Sequence, residues 1–338
     1  MSSCAAGPPK VSVVSTTHNQ EAYVRQTFDS FIAQRTEFPI EIVVADDAST
    51  DATPQIIREY ADRHPDRFRP ILRPQNLGLN ANLTGALSAA RGEYIALCEG
   101  DDYWVDPLKL SKQTAYLDQN PGAGLCFHPV RIRWTRNRGH DLKFVHTLYQ
   151  KMEETFFPKF PPPFLAGDVS VEGLLSRNFI QTNSVMYRRL PRYDDIPPDV
   201  MPLDWYLHVR HALHGEVAML PETMAVYRRH PHGMWFNSIV DPAKFWLAQG
   251  AGHVATLDAM LDLVAGDPRR EKIVAKTADG LLRTIAKKVP GEPGRKLLQE
   301  TIARHPRVAM LALQHRWGRT PVKRLTSLRR AHTPAGTG

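Results

Sequence analysis

Three acidic residues lie within a stretch of four in the segment Cys98–Trp104, which reads Cys-Glu-Gly-Asp-Asp-Tyr-Trp. Carboxylates this close repel one another, so the segment destabilises the fold unless a cation or hydrogen-bond donors compensate. Hard oxygen ligands suit Mg²⁺ or Mn²⁺, which usually bind phosphate oxygens of a substrate as well. Helix capping is the alternative, because Asp106-Pro107 is typical of a helix start, but capping needs only Asp106. The crowding of Asp101 and Asp102 therefore favours a metal-binding or nucleotide-binding site.

A second acidic pair, Asp46-Asp47, is followed closely by Ser49, Thr50 and Asp51. Helix capping explains part of this pattern, because Ser and Asp are common cap residues and a helix start is predicted at Thr53-Pro54. One acid is sufficient for a cap. A neighbouring carboxylate would be able to accept a hydrogen bond from a nucleobase N–H or a ribose hydroxyl, so both interpretations stay open.

The elements around these acids predict how they are positioned. Strands are predicted where short β-rich runs occur, and helices where apolar residues recur at helical spacing. In chain order the strands are 11–15, 40–45, 68–73 and 93–98, and the helices are 21–34, 52–64 and 80–90. This alternation predicts a parallel sheet buried on both faces, in which ligands bind outside the carboxyl ends of the strands. Four polar clusters follow these strands and are expected to share one rim: 15–19, 46–49, 73–76 and 99–102.

The remainder of the chain predicts further strands, a flap and a helical end. Strands are expected at 122–133, at 182–187 and within 217–227, and helices at 169–178 and 204–214. The segment 141–168 is rich in Pro and Phe and predicts a loop or flap over the site. After residue 241 the helical pattern continues, with breaks at Asp267-Pro268 and Val289-Pro290-Gly291.

The chain has 338 residues, a net charge of +8 at pH 7 and three cysteines, Cys4, Cys98 and Cys126. The odd number and the absence of a CxxC pair predict no disulfide framework and fit a reducing cytoplasm. No apolar stretch reaches the ~20 residues of a membrane-spanning helix, and Met1–Lys10 lacks the features of a secretion signal. We therefore expect a soluble cytoplasmic protein, or one attached to the inner face of the membrane.

Positive charge crowds between Arg295 and Arg330, where Glu300 is the only acid. One interpretation is a solvated, partly helical tail. The other is peripheral contact with an anionic membrane surface, where each nearby cation adds about 1 kcal/mol. Nucleic acid is not the expected partner, because no recognisable nucleic-acid-binding fold accompanies the charge.

Several segments occur in an order that is typical of one protein family. They are Val11–Asn19, Glu41–Asp51, Asn76–Gly78, Arg91–Ala96, Glu99–Trp104, Pro107–Leu110 and Gln113. In this order the chain resembles family 2 glycosyltransferases of the GT-A fold, in particular a bacterial branch whose motif reads Asp-Gly-Asp-Asp-Tyr-Trp. The resemblance extends over residues 10–240.

The resemblance implies an α/β fold of the GT-A class, which is Rossmann-like with a mostly parallel central sheet and flanking helices. Residues 10–120 would form the nucleotide-sugar-binding half, and residues 121–240 the acceptor half with the catalytic base. Residues 241–330 are expected to form a helical C-terminal extension with a basic end. Residues 1–9 and 331–338 are expected to be disordered.

The resemblance also implies roles on the donor side. In this family the loop after the first strand lines the base pocket, and the second Asp after the second strand bonds the base. Of the paired acids, the first meets the ribose and the second holds the metal, Mn²⁺ or Mg²⁺. Glu99 replaces the usual Asp at the head of the motif and has a longer arm. The donor-binding residues implied here are Thr17, His18, Glu21, Asp47, Asn76, Glu99 and Asp101, and the metal ligand is Asp102.

The catalytic base in this family is an Asp or Glu at the start of a downstream helix, commonly preceded by another acid. The matching segment, Met201–Leu207, implies that Asp204 is the base, with Leu203 in the place of the preceding acid. Helix capping is the alternative role for Asp204. One carboxylate is able to do both.

The segment Tyr227–Trp235 contains two arginines and two histidines within five residues. A solvated loop is one interpretation. The segment also resembles the Tyr-Arg-x-His loop that closes over the donor diphosphate in this branch. By that resemblance Arg228 binds diphosphate oxygens in a bidentate manner. His230, which matches the motif better than His232, is a further metal ligand.

The activity that the resemblance implies is sugar transfer with inversion, from a UDP-, GDP- or dTDP-sugar to a hydroxyl of a glycan, lipid-linked or small-molecule acceptor, in cell-surface glycan or glycoconjugate synthesis. A dinucleotide oxidoreductase is disfavoured because Ser15–Glu21 contains no glycine. A sugar-phosphate nucleotidyltransferase is the main alternative, but its Gly-rich phosphate loop is missing. A glycoside hydrolase would use two carboxylates without a base-binding rim, and a nucleic-acid-binding protein is favoured only by the charge.

Overall fold

The computed structural model describes residues 7–135 and 169–317 of the chain. The expected flap at 141–168, the tail at 331–338 and most of the segment 1–9 lie outside the described residues. The basic stretch is described only as far as residue 317. For the residues outside the described ranges, the expectations stay predictions.

Ten strands in the described residues form two sheets. They are β1 (Val11–Thr17), β2 (Ile40–Asp46), β3 (Phe68–Leu72), β4 (Tyr94–Leu97), β5 (Tyr103–Trp104), β6 (Ala123–Phe127), β7 (Val130–Trp134), β8 (Met186–Arg188), β9 (Glu216–Met219) and β10 (Ala225–Arg229). The larger sheet has the order β3-β2-β1-β4-β8-β6-β9, and within it β8 alone runs antiparallel to its described neighbours. The predicted mostly parallel sheet is therefore confirmed. The smaller sheet has the order β5-β10-β7.

Eleven helices accompany these strands in the described residues. They are α1 (Val24–Ile32), α2 (Thr53–Arg63), α3 (Leu79–Ala89), α4 (Lys109–Gln119), α5 (Val171–Ser176), α6 (Leu203–Ala212), α7 (Asn237–Val240), α8 (Pro242–Leu263), α9 (Pro268–Lys288), α10 (Glu292–Arg304) and α11 (Pro306–Trp317). Short 3-10 turns lie at Thr182–Ser184 and Met234–Phe236.

The two central strands β1 and β2 are buried along their whole length, as expected for parallel strands covered on both faces. Their register pairs Val11 with Ile40 and Thr17 with Asp46, so both strands end at the same level. Consequently the polar residues that follow them lie side by side at one edge of the sheet.

Three predicted strands differ from the observed ones. The run 122–133 forms two strands, because β6 joins the larger sheet and β7 the smaller one. Pro129 lies between them, and its missing N–H removes a donor to a sheet ladder. The prediction of a strand at 182–187 was wrong in its first half, where Thr182–Ser184 forms a turn. The region 217–227 holds parts of two strands, β9 and β10.

The chain divides into two compact units. Of the described residues, the first unit comprises 7–135 and 169–174 together with Asn178–Phe236, and the second comprises Leu175–Arg177 together with 237–317. In the second unit the predicted helix breaks are confirmed, and the Asp267 side chain caps α9 by accepting two backbone N–H groups. None of the described helices combines the length and apolar character needed to cross a lipid bilayer.

Candidate active site

A cavity of about 350 Å³ opens at the carboxyl ends of β1, β2 and β4. Each of the four polar clusters predicted to share this rim contributes to its wall, so that prediction is confirmed. Other parts of the wall come from α3, the Thr182–Ser184 turn, the start of α6 and the segment after β10. The polar side chains that line it include Thr17, His18, Asp47, Asn76, Glu99, Asp101, Thr182, Asp204, Arg228 and His232.

The acidic cluster after β4 consists of Glu99, Asp101 and Asp102, whose nearest carboxylate oxygens all lie within 4.8 Å of one another. Asp102 is 1% exposed, and its Oδ1 accepts the backbone N–H of Arg228 at 2.8 Å. Asp101 Oδ2 lies 2.9 Å from His230 Nε2. The other two oxygens, Asp101 Oδ1 and Asp102 Oδ2, are buried and have no hydrogen-bond partner among the described residues.

Burial and mutual repulsion make this cluster electrostatically unfavourable without a counter-ion. Burial raises the pKa of Asp102 well above its usual range, and the charges of Asp101 and Glu99 raise it further. Burial also raises the pKa of Glu99 to about 8, with additional contributions from Asp101 and Asp204. A divalent cation would neutralise this charge and would use the two unpartnered oxygens as ligands. The residues present therefore fit a Mg²⁺ or Mn²⁺ site.

Close backbone packing holds the cluster in place. The Thr27 hydroxyl, on α1, contacts the carbonyl oxygens of Gly100 and Asp102 at 2.8 and 2.6 Å. The Gly100 N–H donates to the carbonyl of Thr16 at the end of β1. A Cβ at position 100 would lie 2.5 Å from Thr17 Cγ2 and 2.4 Å from Gln20 Oε1, so a larger residue would push the motif away from β1. Glycine is required here for close approach.

The strand β10 brings Arg228 and, just after its end, His230 to the cluster. His230 is 2% exposed and its ring packs against Tyr23, with centroids 4.5 Å apart. The structure thus places His230 beside Asp101, whereas His232 lines the cavity. The Arg228 guanidinium donates to the backbone carbonyl of Asp101 and to Gln26. The diphosphate-binding role of Arg228 and the metal-binding role of His230 stay predictions.

The donor-side residues near β1 and β2 form one hydrogen-bonded network. Asp47 accepts the backbone N–H groups of Leu77 and Gly78 at 2.7 and 2.9 Å, one with each carboxylate oxygen. His18 Nδ1 lies 2.9 Å from the Asp47 carbonyl oxygen. The Thr17 hydroxyl points to the neighbouring acid, donating to Asp46 Oδ1 at 2.8 Å. Thr17, His18 and Asp47 are therefore brought together, as predicted.

Of the two remaining predicted residues on this side, Asn76 lines the cavity and Glu21 does not. Asn76 is exposed, lines the cavity and accepts the Gly78 N–H at 3.0 Å, where Gly78 has a positive φ of 83°. Glu21 is not among the lining residues. Its carboxylate accepts the backbone N–H of Ala52 at 2.8 Å, just before α2 begins. The structure thus places Glu21 at a helix start.

Asp204 lies in the first turn of α6, where the helix dipole favours a negative charge. Its Oδ1 accepts the backbone N–H of Trp205 at 2.8 Å. Its Oδ2 accepts the Thr182 hydroxyl at 3.0 Å and the Asn178 amide at 3.3 Å. Asp204 and the acidic cluster line the same cavity and are carried by different elements. The cavity can therefore accommodate a cation at one place and a proton acceptor at another.

Sequence reasoning missed the residues that hold these acids, in particular Thr27, Asn178 and Thr182. The signal for Thr182 was present, because a Thr-Asn-Ser run is rich in side chains that bond to nearby backbone. The predicted strand at 182–187 instead begins with this run. No local pattern marks Thr27, whose contacts with Gly100 and Asp102 span more than 70 residues of chain.

Comparisons with known proteins agree with the predicted family. The sequence profile of the family described as "Glycosyl transferase family 2" matches residues 12–171. An uncharacterized protein of Mycobacterium tuberculosis (strain ATCC 25618 / H37Rv) is 58% identical over 314 residues, which are 93% of this chain and 86% of that protein. The putative glycosyltransferase EpsE of Bacillus subtilis (strain 168) is 38% identical over 112 residues, which are 33% of this chain and 40% of that protein.

A solved structure shares the fold. The mannosyltransferase PcManGT from Pyrobaculum calidifontis, in complex with GDP-Man and Mn²⁺, matches with a TM-score of 0.52 and 18% identity, over 93% of this chain and 90% of that chain. The predicted fold class, a mostly parallel α/β sheet of the GT-A type with flanking helices and a helical C-terminal region, is thereby confirmed.

Proposed function

Since this chain is a glycosyltransferase of family 2, we propose that it transfers a sugar from a nucleotide diphosphate-sugar to an acceptor hydroxyl, with inversion at the anomeric carbon. In a single displacement the acceptor oxygen attacks the face of the sugar opposite the departing diphosphate. A base is then needed on the acceptor side and charge stabilisation on the diphosphate side.

One observation carries this proposal. A single cavity is lined both by the acidic cluster after β4 and by Asp204, a carboxylate of a separate helix. Asp204 would accept the proton of the attacking hydroxyl. The three donors on its oxygens, from Thr182, Asn178 and Trp205, fix the orientation of the carboxylate in the cavity wall.

Glu99, Asp101 and Asp102 would hold a Mn²⁺ or Mg²⁺ ion, and His230 would adjoin it through Asp101. When bound, such an ion supplies a Lewis acid that stabilises negative charge on the departing diphosphate. Arg228 contributes a fixed positive charge near the same acids, since its backbone N–H bonds Asp102 and its guanidinium bonds the Asp101 carbonyl.

The nucleoside of a UDP-, GDP- or dTDP-sugar would lie at the rim formed by Thr17, His18, Asp47 and Asn76. Support comes from their position in the cavity wall and from the hydrogen bonds that fix Asp47. Each Asp47 oxygen has a lone pair beyond the one used by Leu77 or Gly78, so it is able to accept a base N–H as well.

The acceptor would enter beside Asp204, in a cavity whose apolar lining residues include Leu203, Met234 and Trp235. A glycan, lipid-linked or small-molecule acceptor used in cell-surface glycan or glycoconjugate synthesis fits this proposal. Peripheral membrane contact through the basic residues from Arg295 to Arg330 remains part of it, with the residues beyond 317 outside those described.

The test is a comparison of the wild type with Asp204→Asn. We expect release of nucleoside diphosphate in the presence of acceptor to fall by 10²–10⁴-fold, while calorimetry gives an unchanged donor affinity. Asp194→Asn, an exposed acid in the segment before α6, is the matched control and should keep full activity. NMR of the product anomer checks inversion. A normal rate for Asp204→Asn, or retention at the anomeric carbon, would contradict the proposal.

A further inference from the structure

The Thr182–Ser184 turn is bonded to Asp204 through Thr182 and to Trp104, the last residue of the acidic motif, through Asn183. We infer that the Thr182 hydroxyl positions the Asp204 carboxylate for proton abstraction, with the turn as its rigid support. This inference rests on the proposed role of Asp204 as the base. Thr182 is thus a positioning residue for the transfer reaction.

The contact itself is direct. Thr182 Oγ1 donates to Asp204 Oδ2 at 3.0 Å, a shorter contact than the 3.3 Å from Asn178 to the same oxygen. Both Thr182 and Asp204 line the cavity. The hydroxyl–carboxylate pair is therefore formed at the surface that a substrate would meet.

Buried hydrogen bonds anchor the turn at Asn183 and Ser184. The carbonyl of Asn183 accepts the indole N–H of Trp104 at 3.0 Å, and the Asn183 amide donates to the Val226 carbonyl at 3.0 Å. The carbonyl of Ser184 accepts the Gln113 amide at 2.9 Å. Trp104 ends the acidic motif and Val226 lies on β10, so the turn ties the base to the elements that carry the cluster. Its position is set by buried groups that a substrate does not contact.

No positive charge among the described neighbours substitutes for these donors. His208 Nε2 lies 3.9 Å from Asp204 Oδ2, but burial lowers the pKa of His208 to about 4, so the imidazole is neutral near pH 7. Its Nδ1 lies 2.7 Å from the hydroxyl of Tyr187, which is neutral as well because burial raises its pKa. Glu99, on the loop after β4, adds negative charge when ionised. Hydrogen bonds, with Thr182 foremost, are therefore what holds the carboxylate in position.

The test compares Thr182→Val, which is nearly isosteric and lacks the donor, with Thr182→Ser, which keeps it. For Thr182→Val we expect kcat at pH 7 to fall about 10-fold, because the carboxylate loses the donor that holds it in place. The donor KM should stay within about twofold, and Thr182→Ser should restore the rate.

The outcomes separate this inference from the proposed function. If Asp204→Asn is fully active, the base assignment fails, whatever Thr182 does. If Asp204→Asn is inactive but Thr182→Val has the wild-type rate, the positioning role alone is wrong. Equal losses in Thr182→Val and Thr182→Ser, or an increase in donor KM with an unchanged kcat, would also overturn it. Thermal unfolding of each variant identifies a loss of fold.

A second and independent observation concerns charge in the C-terminal part of the chain. Residues 237–338 contain 18 Lys and Arg against 8 Asp and Glu, a net charge of +10 that exceeds the +8 of the whole chain. On α9 six cations are exposed, and five of them share one side of the helix: Arg269, Lys272, Lys276, Arg283 and Lys287. At 3.6 residues per turn these positions fall within an arc of roughly 60° and extend over about 27 Å. We call this row the α9 stripe.

From the α9 stripe we infer a docking surface for an anionic phospholipid bilayer. The nearby acid on the helix, Asp279, is 4% exposed and is paired with Arg283 and Arg316, so it does not interrupt the row. Glu271 projects from the opposite side of the helix by its position in the turn. A straight row of long cationic side chains suits a fluid plane of headgroups, which requires no directional partner. Single-stranded nucleic acid is disfavoured, because α9 carries no aromatic residue on which bases would stack.

The test is sedimentation with vesicles of phosphatidylcholine alone and of phosphatidylcholine with 30% phosphatidylglycerol. We expect binding to the anionic vesicles only, weakened by 0.5 M salt. Neutralising Lys272, Lys276 and Lys287 to Gln should weaken it on the order of 100-fold, from roughly fivefold per cation. The matched control changes Lys244, Lys288 and Lys296 to Gln, three exposed lysines of the same unit that lie off the stripe.

We expect the control triple variant to bind within about threefold of the wild type. Equal weakening in both triple variants would show that the net charge, rather than the stripe, governs binding. Absence of binding to anionic vesicles, or preferential binding of a single-stranded oligonucleotide in the same buffer, would overturn the inference.

Discussion

Two Asp-Asp pairs lie at the carboxyl ends of two strands of the same sheet, and their hydrogen bonding differs. Asp46-Asp47 ends β2, and its oxygens accept the Thr17 hydroxyl, groups of Ser49, and the backbone N–H groups of Leu77 and Gly78. Asp101-Asp102 follows β4 and leaves one buried oxygen on each residue without a partner among the described residues.

The difference separates an acid pair whose charge is compensated by protein donors from one that needs a metal ion. A carboxylate with a protein donor on each oxygen organises its loop and remains able to accept a further hydrogen bond from a ligand. A carboxylate that is buried beside like charges and lacks donors needs an external cation. Glu99 increases this need at Asp101-Asp102, since its own pKa is raised to about 8 by burial and by neighbouring acids. The two pairs therefore predict opposite responses to the same substitution.

The largest expected effect comes from Asp102→Asn. The amide would keep the bond from the Arg228 N–H and remove one negative charge, so unfolding free energy in chelator should stay equal or rise. Transferase activity should fall on the order of 10³-fold, because a Lewis acid contributes several kcal/mol of transition-state stabilisation. Urea denaturation and initial rates with Mn²⁺ check both halves. If Asp102→Asn kept wild-type activity and lost stability, Asp102 would be a structural acid and not a metal ligand.

Asp47→Asn should behave in the opposite way. Only one oxygen of the amide accepts, so its NH₂ would face the backbone N–H of Leu77 or Gly78 and leave a buried donor unsatisfied. We expect a loss of about 1–3 kcal/mol of unfolding free energy, measured by urea denaturation without metal. Stability equal to that of the wild type would show that these hydrogen bonds do not distinguish the two pairs.

A smaller effect concerns Lys109, the fully buried cation behind the acidic motif. Its Nζ lies 4.2 Å from the Trp104 ring centroid and donates to Gln113, and burial lowers its pKa to about 7. At pH 8 it is largely neutral and does not compensate the acids. Between pH 7 and its unfolded value near 10.5 the unfolded chain binds more protons, so stability rises with pH.

Relative to Lys109→Met, the wild type should therefore gain about 2 kcal/mol of unfolding free energy between pH 7 and pH 9. Urea denaturation of both proteins at the two pH values gives this difference directly. A difference that is constant with pH would mean that Lys109 stays charged, and that it is an internal counter-ion for the cluster.

The sequence was sufficient to predict which strands position the site, and insufficient to predict the hydrogen bonds within it. β1, β2 and β4 are local apolar runs, and parallel topology alone places their polar ends at one edge. By contrast, the donors that saturate Asp47 come from residues about 30 positions away, and the N–H that bonds Asp102 comes from Arg228, 126 positions away. No local pattern tells two Asp-Asp pairs apart when the difference lies in such partners.

The Thr182–Ser184 turn shows the same limit. A strand is predicted over 182–187, yet hydrogen bonds from Trp104 and Gln113 hold its first three residues as a turn. Asp204 was predicted from its place in a family pattern. The residues that hold its carboxylate became visible only when helix, turn and motif were placed together.

The most direct measurement titrates Mn²⁺, in the presence of a nucleoside diphosphate, into the wild type, Asp102→Asn and Asp47→Asn, with free Mn²⁺ followed by electron paramagnetic resonance. The account predicts one Mn²⁺ site in the wild type, its loss in Asp102→Asn and its retention in folded Asp47→Asn. Equal Mn²⁺ binding by the wild type and Asp102→Asn would contradict it.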